Sequence, residues 1–320
     1  MEKHCLQQAC IFRHSPIRPD PDVVLATRRA RRPETETLYR EVIEGKTAVL
    51  GADHESPLRT KGNSAAVLEE QGKLEEAGKL YLEVIEGKSA AFGVNHAETL
   101  LSKGNYAAVL EQQGKLEEAG KLYLEVIAGD TAVLGANHAG TLMDKGNYAA
   151  VLQQQGKLGE AESTYLEVIE GKSAALGANH TATLLSKGNY AAVHEQQGKL
   201  EEAGKVNLEV IEAKTAVLGA NHAHTLATKM NYAIVLEKQG KLEEAEQMYR
   251  EVIDGQTVAL GAGHTDTLIA KYNLGDLLLK AGDRARPRPL LEEEAAGRAG
   301  VALDALQERR PHLLLPHGAL

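Results

Sequence analysis

Three polar residue types recur at one fixed spacing, and they are the groups in this chain with the means to do chemistry. Asparagine stands at Asn63, Asn105, Asn147, Asn189, Asn231 and Asn273, each 42 residues after the last. A carboxamide offers two donors and an acceptor, which suits the main chain of an extended segment. Asparagine is also a mediocre helix residue, so each repetition carries a small cost. Contact with a bound segment and plain copying by duplication both remain open. Lysine stands two residues earlier, at Lys61, Lys103, Lys145, Lys187, Lys229 and Lys271, with no acidic residue four positions away in the same segment. Heads turned toward a groove favour acidic ligands; stems laid along apolar surface with heads in water are the alternative. The third column is His54, His96, His138, His180, His222 and His264. Successive units lie at least one helix spacing apart, about 8–10 Å, and metal bonds of about 2 Å do not span that. These histidines are expected to order loops, and no metal site is assigned to them.

Enzymatic chemistry finds no home in the remaining residues. Gly45-Lys46-Thr47, Gly87-Lys88-Ser89 and Gly171-Lys172-Ser173 mimic the end of a phosphate-binding loop, but the glycine needed five positions earlier is Arg40, Leu82 or Leu166. No H-E-x-x-H, G-x-S-x-G or G-x-G-x-x-G occurs. Glutamate pairs such as Glu75-Glu76 fall on an exposed helix start, where they complement the helix dipole. Cys5, Cys10, His4 and His14 lack the paired spacing of a structural zinc site. The chain is therefore expected to have no catalytic residues and no cofactor.

Those columns are set by a period of 42 residues. Gln113-Gly114-Lys115-Leu116-Glu117-Glu118-Ala119 has counterparts starting at Gln71, Gln155, Gln197 and Gln239. Within one period, Leu100, Lys103, Ala107 and Leu110 share a helical stripe, and Leu101, Asn105, Ala108 and Gln112 share a second. This is helix A. After the turn at Gly114-Lys115, the residues Leu116, Ala119, Tyr123, Val126, Ile127 and Leu134 again step by three and four, giving helix B. Gly135 suits a left-handed cap ending helix B, and Asp53, Asn95, Asn137, Asn179, Asn221 and Gly263 are placed to cap the next helix A. Gly62, Gly104, Gly146 and Gly188 lie inside helix A, each with a cost of about 1 kcal/mol against alanine. Close packing of a neighbouring helix is the preferred reason, with room for a ligand as the other.

The pattern T-L-x-x-K-x-N-Y-A-x-V-L-x-x-Q-G-K-L-E-E-A-x-x-x-Y resembles the long tetratricopeptide repeat of kinesin light chains and nephrocystin-3-like proteins. Ala107, Gly114, Ala119 and Tyr123 fall on its small and aromatic positions, and Leu134-Gly135-Ala136-Asn137-His138 is similar to its L-G-x-x-H signature. The resemblance implies an all-α fold: a right-handed α-solenoid of antiparallel helix pairs, about 13 helices, whose A helices line a concave groove for extended peptides or partner helices. It also implies that the asparagine column contacts the backbone of the bound segment. The heptad coiled coil that joins kinesin light chains to the motor has no counterpart in residues 1–32, so motor association is not expected.

Boundaries follow from the period. Residues 1–32 form a non-repeat segment; a half repeat covers 33–56; full repeats cover 57–98, 99–140, 141–182, 183–224 and 225–266; a partial repeat covers 267–282. A degenerate capping helix is expected over 283–308 and a disordered tail over 309–320. A pair of amphipathic helices cannot bury both faces alone, so neighbours must stack. The fourth full repeat departs from its siblings, with His194 in a leucine position and Asn207 in a tyrosine position.

A net charge of −9 argues against nucleic acid as partner. Without a run of about 18 apolar residues no membrane span is expected, and two cysteines outside the repeats build no disulfide framework. The sequence thus points to a cytoplasmic, non-catalytic scaffold that binds a protein or peptide. The rival readings are the sensor portion of a larger signalling ATPase and a passive spacer.

Overall fold

The computed structural model describes residues 33–281, all of its regular structure helical. Among the described residues twelve helices follow one another: α1 (Pro33–Leu50), α2 (Glu55–Glu70), α3 (Leu74–Phe92), α4 (Ala97–Gln112), α5 (Leu116–Leu134), α6 (Ala139–Gln154), α7 (Leu158–Leu176), α8 (Thr181–Gln196), α9 (Leu200–Leu218), α10 (Ala223–Lys238), α11 (Leu242–Leu260) and α12 (Thr265–Lys280). They fall into two compact units that divide after Ala178. In the first, α1 to α7 pack each against the next; in the second, α8 to α12 do the same. Each unit is a run of antiparallel helix pairs of the solenoid class, with even numbers marking A helices. The expected N-terminal segment, the Cys/His group within it, the capping helix over 283–308 and the tail lie outside the described residues.

The turn from A to B is a Schellman motif. At α4 the Lys115 amide donates to Leu110 O and the Gly114 amide to Glu111 O, with Gly114 at φ 76°. Helix B ends at a second glycine of positive φ, Gly135 at 96°, as its sequence position required.

The start of helix A differs from expectation by one residue. The caps are the histidines, not the Asn137-type residues before them. His138 is extended at φ −66° and ψ 144°, and its Nδ1 accepts from the Gly140 amide at 3.1 Å. His54, His96, His180, His222 and His264 accept in the same way from the residue two further on. Imidazole Nδ1 is as many bonds from the backbone as an asparagine side-chain oxygen, so it serves the same geometry. An accepting Nδ1 assigns the proton to Nε2. Beside it Thr141 Oγ1 donates to Gly135 O at 2.9 Å, tying the first turn of A to the end of the preceding B; Thr99, Thr225 and Thr267 repeat the bond.

Each core cluster needs three helices. Ala65 and Leu68 of α2, Ala77 and Tyr81 of α3, and Val109 of the following A helix close one cluster. Ala107, Leu110, Ala119, Tyr123 and Val151 close the next. Burial holds the Tyr81 and Tyr123 hydroxyls well above the ordinary tyrosine range, so both are neutral.

Glycine turned out to matter in helix B. A Cβ on Gly87, Gly129, Gly171 or Gly255 would stand 2.6–2.7 Å from a leucine methyl of the paired A helix, at Leu58, Leu100, Leu142 and Leu226. The expected packing role of the helix-A glycines does not hold at Gly62 and Gly188, where a Cβ meets open space, and at Gly104 the nearest atom is Asp144 Oδ1 at 3.4 Å. Gly62→Ala should therefore gain about 0.5–1 kcal/mol through helix propensity alone. Gly129→Ala should lose about 1 kcal/mol, because Leu100 must be displaced. Urea unfolding of both variants checks the pair, and two shifts of the same sign contradict it.

The fourth full repeat carries its substitutions into the core. His194 is 6% exposed and lies against Tyr190, the rings tilted with centroids 4.3 Å apart, while Asn207 is 1% exposed with Oδ1 lacking a partner. A buried acceptor left unpaired costs about 1–3 kcal/mol. Amides of α8 and α9 should exchange with solvent faster than those of α4 and α5, and equal protection in a hydrogen-exchange experiment counts against this.

Candidate functional site

Helices of the A set touch their own kind: α2 meets α4 and α4 meets α6 in the first unit, and α8 meets α10 in the second. Side chains bind across these approaches. Gln112 Nε2 donates to Glu69 and Gln154 Nε2 to Glu111. In the second unit lysines replace the glutamines, with Lys238 paired to Glu195 and Lys280 to Glu237 at 2.7 Å. The A-helix face is thus a continuous polar and apolar surface inside each unit.

The asparagine column lies along this face, but its members are not equivalent. Asn63, Asn105, Asn231 and Asn273 are half-buried, whereas Asn147 is 5% and Asn189 1% exposed. Asn105 Oδ1 and Asn147 Nδ2 are buried and have no hydrogen-bond partner, while Asn273 Nδ2 donates to Met230 Sδ at 3.6 Å. Identical residues at identical spacing therefore offer a ligand different amounts of surface.

The lysine column faces helix B of its own repeat. Lys61, Lys103, Lys145 and Lys229 bind Glu83, Glu125, Glu167 and Glu251 at 2.8–3.1 Å, and Lys187 binds Glu209. Lys271 is 9% exposed. The partner glutamate lies 22 residues on, one position before the buried valine of helix B. A search of neighbours four residues away within helix A passes over it; the repeating glutamate at that offset was the available signal. With five of the six charges matched inside their repeats, the lysine column alone draws an acidic ligand only weakly.

A second lysine column lies between repeats, half-buried at Lys46 and buried at Lys88, Lys172 and Lys214. Lys88 Nζ binds Glu98 Oε2 at 2.9 Å, Lys46 Nζ donates to Thr60 Oγ1 at 2.9 Å, and Lys214 Nζ donates to Thr228 Oγ1 at 2.8 Å. The hydrogen bond and charge of Lys88 hold the Glu98 carboxyl below its ordinary range. Burial alone pulls Lys172 and Lys214 down to about 8.

No group of three or more His, Cys, Asp or Glu side chains among the described residues forms a metal-binding set. No helix among them is long and apolar enough to cross a membrane.

The tetratricopeptide repeat family model matches residues 56–131, 96–174, 144–216, 180–257 and 224–298, overlapping segments that together cover most of the chain. The chain belongs to the tetratricopeptide repeat family. Solved tetratricopeptide structures share its fold. One is a kinesin-light-chain candidate of Podosopora anserina built of nearly identical TPR-like repeats, 23% identical over 65% of this chain and 98% of that one, with a TM-score of 0.57. A second is BtubC (BKLC) from P. vanneervenii, 17% identical over 77% and 97%, TM-score 0.60. A third is NprR in complex with its cognate peptide NprX, 15% identical over 92% and 82%, TM-score 0.52. No curated protein matches the sequence. Family model and neighbours agree on a fold of stacked tetratricopeptide helix pairs.

The buried lysines give this solenoid a distinctive pH dependence. Lys172 and Lys214 release protons near pH 8 when folded and near 10.5 when unfolded. Between those values the unfolded chain holds more protons, so stability rises with pH. From pH 8 to 9.5, below the tyrosine range, the gain is on the order of 2 kcal/mol per lysine. Urea titrations across that window should show the rise in the natural chain and none in Lys172→Met/Lys214→Met.

Proposed function

We propose that this tetratricopeptide solenoid is a non-catalytic scaffold that binds an extended peptide or a partner helix on the A-helix face. The observation that carries the reading is the line of half-buried carboxamides on that face. Among them Asn63, Asn105, Asn231 and Asn273 keep part of the side chain at the surface, where the main chain of an extended segment can reach it. NprR, which shares the fold, was solved with a peptide bound. Half-buried apolar side chains flank the amides, with Leu101 and Met143 one helical turn before Asn105 and Asn147. They supply area, and the amides fix direction, the division of labour common to peptide grooves.

Acidic ligands would have to displace glutamates already held by Lys61, Lys103 and Lys145. Main-chain recognition needs no such exchange, and the proposal rests on the carboxamides.

Asn147→Ala and Asn189→Ala act on nearly inaccessible groups, so Asn63 and Asn105 are the informative pair. Peptides selected from a random library on the natural chain should bind Asn63→Ala/Asn105→Ala about tenfold more weakly, at roughly 0.5–1.5 kcal/mol per hydrogen bond. Unchanged Kd values in fluorescence polarisation, with an unchanged Tm, would remove the groove reading.

A further inference from the structure

The position just before each asparagine of helix A reads Gly62, Gly104, Gly146, Gly188, Met230, Tyr272. Met230 shows what a long side chain does there. It is 3% exposed and packs in one core cluster with Val252 and Ala270. Its Sδ accepts from Asn273 Nδ2 at 3.6 Å. A methionine thus lies between its own A helix, the following B and the next A, with its sulfur on the carboxamide of that next helix.

Three periods earlier the same frame stands without its methionine. Gly104, Val126, Asp144 and Asn147 are the counterparts of Met230, Val252, Ala270 and Asn273. A Cβ on Gly104 would meet Asp144 Oδ1 at 3.4 Å and Val126 Cγ1 at 4.0 Å, ordinary contacts with those counterparts. With no side chain of its own, Gly104 lines a cavity of about 70 Å³ between α4, α5 and α6. At about 10–15 Å³ of such volume per water-sized group, that is enough for the carbons and sulfur of a methionine side chain. Asn147 Nδ2, the donor that corresponds to the one on Met230, is buried without a hydrogen-bond partner in a residue 5% exposed. A buried donor left unpaired is uncommon and costly. It lies too deep for the main chain of a ligand, and only a side chain that enters as Met230 does can approach it. Leu101, Asn105 and Met143, all half-buried on the A-helix face, stand in the cavity wall, so the cavity adjoins the surface where a ligand would run. Asp130 and Asp144 complete the wall and are engaged within the fold; a neutral side chain demands nothing of them.

We infer that the cavity beside Gly104 receives a methionine side chain of the bound peptide, whose sulfur accepts from Asn147 Nδ2. The inference rests on the peptide reading above and adds the ligand's chemistry: a thioether anchor, held where a later repeat holds Met230 of its own. An unbranched, polarisable chain adapts to a wall that is part polar and part apolar, and its sulfur is a weak acceptor. A β-branched side chain carries its bulk next to the peptide backbone and is stiff at χ1, so it does not reach the carboxamide.

The test supplies the missing side chain from within, as Gly104→Met, and removes the donor separately, as Asn147→Ala, in case the first perturbs folding. Peptide libraries selected on the natural chain should fix methionine at one position. Replacing it with norleucine should weaken binding about threefold, the share of one weak hydrogen bond, and replacing it with valine tenfold or more. Gly104→Met should still bind the peptides but lose both preferences; Asn147→Ala should lose only the one between methionine and norleucine. Gly104→Met should also melt about 2–4 °C above Gly104→Ala, because its side chain fills the cavity. In parallel, N-acetylmethionine methylamide titrated into the natural chain should saturably shift the NMR signals of the Gly104 amide and the Asn147 carboxamide, and Gly104→Met should not respond. Selected peptides without methionine, with a basic residue fixed in its place, or a Gly104→Met chain that keeps both preferences overturn the inference and leave the groove standing. Absence of peptide binding together with an intact N-acetylmethionine methylamide response removes the groove reading and leaves the thioether site. Absence of that response overturns the thioether site whatever the peptides do.

Discussion

The architecture depends on how closely helix A can lie on helix B. A leucine of A sits over a glycine of B, with no room for a Cβ at Gly87, Gly129, Gly171 or Gly255. That approach brings Tyr81 and Tyr123 under the alanines of their A helices and leaves space for a valine from the next repeat to close each cluster. The fourth full repeat has Ala213 in the glycine column and Asn207 in the tyrosine column, so its register is held with one contact altered and one polar group buried. Every other regularity, from the threonine bond at the start of A to the lysine–glutamate pair across A and B, is built on that spacing.

Electrostatics follows the same division between pairs and junctions. Inside a repeat, a half-exposed lysine and glutamate hold A to B at modest gain, since partly solvated pairs are worth about 1 kcal/mol or less. Between repeats the charged groups are buried, and the strain shows in lysines whose protons are held weakly. Stability in such arrays is close to a sum over neighbours. A change at one junction is therefore felt there and little in repeats farther away.

Much of the fold was legible before any coordinates. A 42-residue period, two amphipathic stripes per period and glycines at both turns give helices whose ends agree with the structure within a residue or two. The solenoid class follows, because a helix pair with two apolar faces has no other way to bury both. Less was legible at the site. The cap moved from Asn137 to His138 because propensity ranks favour asparagine, whereas backbone geometry fixes which residue is extended at the boundary. The packing glycine was assigned to helix A, because helical periodicity tells which residues share a face and not which neighbour that face meets.

What the sequence determined alone is therefore local and periodic: element types, their ends, the repeat length and the family pattern. All of these are set by interactions within a turn or two of helix or by strict repetition. Tertiary structure decided what identical residues do. Asn105 and Asn147 occupy the same register, yet one is half-buried and the other nearly inaccessible. Lys61 and Lys103 look unpaired along the chain and are paired in space with glutamates 22 residues away. Asp130 and Asp144 are ordinary acids in the sequence and share one cavity in the fold. Burial and pairing depend on distances across helices, which a linear pattern constrains only through the packing it produces.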